Sequence, residues 1–405
     1  MSRVAIIGGG PAGMTAALEA SKRGHAATLF ERNEKLGKKL YISGKGRCNF
    51  TNSAGIEDFF SNIPRNPRFL YSALYGYTNE DAVRFLEDAG VKTKVERGGR
   101  IFPASDKSSD VTRAYELALA RVGVRISLCA RVENARREGE EFLIRVEGKE
   151  YPFDKLILAT GGMSYPMTGS TGDGYEIARS FGHAVTPLLP SLVSFETIED
   201  WPPRLMGLSL RNVTLRAYDR RGKKRYEELG EMLFTHYGVS GPLVLSASAC
   251  LADEPGGARL SIDLKPGLSE EELDRRLLRD FEANINRQFR NALDALLPQK
   301  LIPVIVELSG IPERLEANGI TREMRRNLCI LLKNLEMTVK RARPIEEAIV
   351  TRGGIKVQEI DPSTMESKLV PGLFFAGEII DVDGYTGGFN IQIACSTGAL
   401  AGRSV

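Results

Sequence analysis

The hydrophobic pattern opens on an apolar run at residues 4–7, the length of a buried parallel strand, which leads directly into Gly8-Gly9-Gly10-Pro11-Ala12-Gly13. A helical pattern over residues 14–23 follows and Gly24 stops it; a second apolar run, 26–30, ends at Glu31. Strand, helix and strand in that order predict a βαβ unit and an α/β fold with a parallel sheet. Amphipathic spacing predicts further helices at 79–90 and 108–122, with a strand and turn at 98–106 between them. Residues 124–132 and 141–146 alternate as strands of a hairpin-type excursion, and 154–162 is a second strand running into glycines. A turn-rich loop at 164–174 leads into a helix at 174–181.

Beyond His183 the pattern changes. Residues 192–195, 208–218 and 260–264 alternate as strands, whereas 269–297 and 321–335 have helical spacing. Residues 371–377 read as a returning strand and 391–402 as a final helix. The expected organisation is a discontinuous nucleotide-binding domain, 1–189 with 346–405, interrupted by an inserted domain at 190–345. Its β part runs to about 266 and its helical part from about 267.

The glycines after the first strand give that unit a chemistry. In G-x-G-x-x-G, Gly8 turns the chain tightly, Gly10 lets a pyrophosphate approach the backbone, and Gly13 lets helix and strand pack closely. Pro11 and Ala12 begin a helix whose free N–H groups face the phosphates. Glu31, 18 residues beyond Gly13, is placed to accept hydrogen bonds from ribose hydroxyls. The loop 32–52 is basic and glycine-rich: Arg32, Lys38, Lys39, Lys45 and Arg47 can neutralise a diphosphate, and residues 43–46, ending at Gly46, can bring amides to a ring system. The second strand-then-glycine element, with Thr160 and Gly161, lacks the G-x-G-x-x-G spacing, so one dinucleotide is expected rather than two.

Composition narrows the class. Over 405 residues, 42% are hydrophobic and 26% charged, ordinary globular usage. The net charge is only +3, so a nucleic-acid partner would need a local patch. One such patch is 321–343, with seven basic residues against Glu323 and Glu336; a solvated helix face and an RNA-facing surface are both open readings, with Arg322, Arg325, Arg326, Lys333, Lys340 and Arg341 as contact candidates. The five cysteines contain no C-x-x-C pair and there are three histidines, so no metal centre is expected. No leader or membrane span is expected, which suggests a cytoplasmic protein.

Six stretches in order, GGGPAGMTAA, GKKLYISGKGRCNFTN, GRIFPASDKSSDV, ATGGMSYPMTGSTGDGY, LFTHYGVSGP and the C-terminal TMESKLVPGLFFAGEIIDVDGYTGGFNIQIACSTG, resemble the BaiN/RdsA (YhiN-like) family of FAD-dependent NAD(P)H oxidoreductases from end to end. Lys45 departs from the glycine that many relatives carry. The resemblance implies a Rossmann-like FAD-binding domain of the two-dinucleotide flavoprotein type, with an inserted β-barrel-plus-helical domain. It also implies tightly bound FAD, NAD(P)H as a transient reductant, and adenine near the backbone of Val132. Gly377, Glu378 and Asp381 would follow the ribityl chain, and Gly388, Phe389, Asn390, Ile391 and Gln392 would aim the final helix at the flavin. Members are linked to dihydrouridine formation in 23S ribosomal RNA, others to an unsaturated steroid-like substrate. A small-amine (aminoacetone-type) oxidase making hydrogen peroxide and a non-catalytic FAD-bound RNA-binding scaffold are the alternatives. Cys48, His236, Tyr237 and Arg47 are the candidate catalytic groups, with Cys48 or His236 as proton donor.

Overall fold

The computed structural model describes all 405 residues. They form two compact units, Met1–Ser191 with Pro344–Val405, and Leu192–Arg343.

In the first unit a five-stranded parallel sheet runs in the order Leu373–Phe375, Lys155–Leu158, β1 (Arg3–Ile7), β2 (Ala26–Phe30) and Arg125–Ser127. β1 lies in the middle, with Val4 opposite both Lys155 and Ala27. Its residues Val4, Ala5 and Ile6 are fully enclosed, as a strand covered on both faces must be. Helix α1 (Pro11–Lys22) packs against the final helix, Phe389–Ser404. That packing is backbone on backbone: a Cβ at Gly398 would overlap the carbonyl of Ala12, and one at Gly402 the carbonyl of Ala16. The small residues four apart let the two helices approach closely beneath the nucleotide-binding turn.

The excursion differs from expectation. Residues 125–127 belong to the parallel sheet, and a separate antiparallel sheet of Val132–Glu138, Glu141–Val146 and Lys149–Phe153 follows. Cys129, with φ of 53°, breaks the alternation between them.

The second unit is a closed six-stranded barrel in the order Phe195–Thr197, Gly238–Ser240, Lys224–Thr235, Ser209–Tyr218, Arg259–Asp263 and Leu335–Ala342, accompanied by helices. The expected α/β unit with a parallel sheet and an inserted closed barrel is therefore present. Two expectations are corrected. The 269–297 segment is two helices, Glu270–Ala283 and Phe289–Ala292. The 321–343 run is not one helix: Arg322–Lys333 is helical and Leu335–Ala342 is a barrel strand, because Leu335, Met337 and Val339 alternate inward with period two. The strand Lys224–Thr235 was not legible, since half of its first eight residues are both exposed and charged. No helix is long and apolar enough to cross a membrane.

Candidate cofactor site

The turn between β1 and α1 fits a dinucleotide by its empty space. At Gly8, φ is 109° and a Cβ would overlap the carbonyl of Ala159 on the neighbouring strand; at Gly13 a Cβ would overlap the carbonyl of Gly8. At Gly10, by contrast, nothing lies within 4 Å of the Cβ position. Two glycines are thus required by the protein itself, and the middle one faces a gap that a diphosphate can fill. No side chain caps α1, Pro11 and Ala12 stand in its first turn, and its first N–H groups are left for an anion.

Glu31 is built for the ribose. It is buried, its Oε2 accepts from the Gly9 N–H at 2.8 Å, and its Oε1 accepts from the Asn33 N–H at 2.8 Å and from Asn33 Nδ2 at 2.7 Å. The carboxylate is oriented before any ligand arrives and keeps lone pairs for hydroxyls. Val132 is buried at the start of its strand, and the Ala130 N–H donates to the Glu31 carbonyl at 2.9 Å, bringing this stretch beside the same acid. The Thr160 hydroxyl is buried and has no hydrogen-bond partner within the protein, an orphan that a bound group can satisfy.

Most cations of the expected basic cradle are engaged in ion pairs within the protein. Lys38 pairs with Glu34 at 3.3 Å, and Lys39 with Glu378 at 2.8 Å. Arg47 pairs with Glu96 at 2.7 Å and lies over the Phe102 ring, while Arg32 reaches Thr171 and Asp173. Each of these four cations has a carboxylate partner within the protein, whereas Lys45 is exposed. Glu378 also accepts from the Thr351 N–H at 2.8 Å and from Ser164 at 3.1 Å. Gly161 has φ of 76°, and beyond it a Cβ at Gly162 would strike Thr351 and Glu378. This second glycine stretch is filled by side chains and leaves no gap like that at Gly10.

The expected flavin-side residues are partly reassigned. Arg65 donates twice to the Asp381 carboxylate, which occupies the side chain expected to hold a ribityl chain. A Cβ at Gly377 would strike the Ala12 side chain, and one at Gly388, where φ is 100°, would overlap the Thr51 carbonyl. Phe389 is enclosed edge-on against Phe59, Asn390 holds the Gly384 loop by bonds of 2.8 and 2.7 Å, and Gln392 is bonded to Thr51, Tyr77 and Ser396. Ile391 and Gly46 keep partial exposure. The final helix has no side-chain cap, so its amides remain available even though these side chains do not.

Cys48 leaves the set of catalytic groups. It has no accessible surface, and burial, partly offset by a Ser43 hydrogen bond, pushes its thiol up to about 12. It packs in the core as a small apolar residue rather than facing a site. His236 and Tyr237 lie in the second unit, in the turn between Lys224–Thr235 and Gly238–Ser240. His236 is exposed, and the Arg343 guanidinium lies over the Tyr237 ring. The RNA candidates divide: Arg325 is bound to Asp274 and Lys333 to buried Asp263, Arg341 is exposed but paired with Glu196, and Arg322, Arg326 and Lys340 are exposed.

A family model described as "HI0933-like protein Rossmann domain" matches residues 2–404. A 3-dehydro-bile acid delta(4,6)-reductase of Clostridium scindens is 32% identical over 100% of this chain and 99% of its own length. Ribosomal RNA dihydrouridine synthases are 33% identical in Haemophilus influenzae, over 99% of this chain and 97% of the relative, and 31% identical in Escherichia coli, over 97% and 95%. The BaiN/RdsA resemblance is thereby borne out: the chain belongs to the HI0933-like family of Rossmann-domain, FAD-dependent oxidoreductases.

Proposed function

We propose that this chain binds FAD in the cradle of Gly8, Gly10, Gly13 and Glu31 and, with NAD(P)H as electron source, reduces a C=C bond conjugated to a carbonyl, with uridine in ribosomal RNA as substrate. The observation that carries the cofactor is the gap over Gly10, flanked by two glycines that the fold itself demands. FAD held there supplies hydride chemistry. The residues of this chain bind and orient it: α1 amides meet the diphosphate and Glu31 meets the ribose. The side chains filling the Gly162 stretch support a single nucleotide cradle, so NAD(P)H would visit transiently.

The relatives supply the substrate class. A uracil C5=C6 bond and the unsaturated ring system of a 3-oxo bile acid are both alkenes conjugated to a carbonyl, so one chemistry accounts for both names. Two relatives act on ribosomal RNA by their names, which favours RNA and a cytoplasmic setting; the full-length match to the bile acid reductase supports a steroid-like second reading. Parallel anaerobic assays with NADPH test the choice. Unmodified ribosomal RNA should gain two hydrogens on a uridine by mass spectrometry, whereas turnover confined to a 3-oxo-4,6-diene steroid would transfer the assignment to the second reading.

A further inference from the structure

The barrel carries a basic feature that the expected 321–343 patch does not include. Its longest hairpin, Ser209–Tyr218 with Lys224–Thr235, is paired as far as Tyr218 opposite Lys224. At the tip the chain reads Asp219-Arg220-Arg221-Gly222-Lys223-Lys224-Arg225, five cations with one acid, and all five cations are exposed. The acid is consumed in building the turn. Asp219 Oδ1 accepts from the N–H groups of Arg221 at 2.9 Å and Lys223 at 3.0 Å, and Oδ2 accepts from Arg225 Nε at 2.8 Å. Burial alone would raise the Asp219 carboxyl, but the Lys223 amide, the Arg225 guanidinium and the Arg221 amide outweigh it and hold it below the usual range.

The remaining charges divide by what they touch. Arg220 donates to the Gly256 carbonyl and Lys224 is paired with Glu227. The Cβ position of Gly256 lies 2.9 Å from the Lys340 carbonyl, so the strand bearing exposed Lys340 reaches the same end of the barrel. Arg221 and Lys223 have no carboxylate within ion-pair distance. They stand on a turn fixed by its own hydrogen bonds, so less ordering entropy opposes binding.

We propose that this hairpin tip is the RNA-backbone contact of the protein, with Arg221 and Lys223 each meeting a phosphate and Lys340 extending the contact. The inference rests on the ribosomal-RNA reading and deepens it. On the helix Arg322–Lys333, Arg325 and Lys333 are held by Asp274 and Asp263 and Arg322 and Arg326 stay exposed, whereas the tip sets its two unpaired cations on a turn fixed by hydrogen bonds, free to exchange small counterions for phosphates. Such contacts fix position and strength of binding without reading sequence.

The test uses the full-length protein, loaded with FAD, and an unmodified ribosomal RNA transcript. Binding is measured against salt for the wild type, for R221A/K223A, for the charge-retaining R221K/K223R, and for R322A/R326A on the helix. R221A/K223A should bind about tenfold more weakly, with a log–log salt slope shallower by about 1.5–2, and R221K/K223R should bind as the wild type does. Flavin content and NADPH turnover with an artificial electron acceptor should be unchanged in every variant. If the wild type binds and reduces the RNA but R221A/K223A keeps its affinity and slope, or if R322A/R326A alone loses them, the tip is not the contact and the substrate reading survives. If the wild type neither binds nor reduces ribosomal RNA, both fall.

Discussion

The three glycines of the nucleotide turn look alike in the sequence but carry different constraints, and substitution separates them. Gly10 has extended backbone that any residue adopts and open space at its Cβ, so Gly10→Val should leave the melting temperature of the FAD-free protein nearly unchanged while weakening FAD at least about tenfold, a loss of roughly 1.4 kcal/mol. Gly13→Ala drives a methyl into the Gly8 carbonyl and should cost about 1–3 kcal/mol of folding stability whether or not FAD is present. Equal loss of stability in both variants, read from thermal melts, would contradict the division. Asp383 makes a second prediction at this scale. Its carboxyl is enclosed and accepts from Ser191 at 2.7 Å; burial raises its proton affinity against the opposing pull of Ser191, Arg352 and Arg65. The folded state therefore holds this proton more tightly than the unfolded chain. Stability from this group is full below the unfolded carboxyl value and is lost as pH rises through the raised folded value. Asp383→Asn should flatten the stability–pH profile on that side and stabilise the protein near neutrality; an unaltered profile would rule the assignment out.

At the scale of elements, charge that looks available in the sequence is mostly spent on structure. Lys333, the last residue of its helix, reaches Asp263 at 2.6 Å and also donates to the carbonyls of Lys265 and Leu268. The Asp263 side chain is only 3% exposed, so Lys333→Met removes its nearest cation, leaving the Lys265 N–H at 2.9 Å and Arg216 at 4.0 Å, and should cost about 2–3 kcal/mol in urea unfolding. Arg322→Ala, in the exposed first turn of the same helix, should stay within about 0.5 kcal/mol. The contrast explains what was legible. β2 was readable to the residue because its apolar run has sharp ends at His25 and Glu31, and the first turn was readable because each glycine there has a steric task. The strand Leu335–Ala342 was hidden because Lys340 and Arg341 extended the basic spacing of the preceding helix across Asn334. The ion pairs Lys39–Glu378 and Arg65–Asp381 join residues more than 300 positions apart, a separation at which local pattern carries no information.

At the scale of the whole molecule, the chain inserts one closed unit into another. The two hydrophobic cores share no residue, and the Arg343 N–H donates to the Ser194 carbonyl at 3.0 Å, so the two ends of the inserted unit lie side by side. A barrel with paired ends and its own core should fold when Leu192–Arg343 is expressed alone, giving a cooperative melt without FAD. A non-cooperative melt would show that its core does not suffice. Cofactor chemistry and RNA attachment are thus assigned to separate units, the first to the Gly10 gap and the second to the Arg221–Lys223 tip. The central claim is that FAD bound in that gap passes hydride to a uracil of ribosomal RNA. The most direct measurement is a single anaerobic turnover: protein reduced with NADPH and freed of excess nucleotide is mixed with unmodified ribosomal RNA while the flavin absorbance and the uridine content of the RNA are followed together. The account predicts that the yellow oxidised flavin returns as one uridine is converted to dihydrouridine for each flavin reoxidised. Flavin that stays reduced in the presence of the RNA, or that reoxidises with every uridine intact, would contradict it.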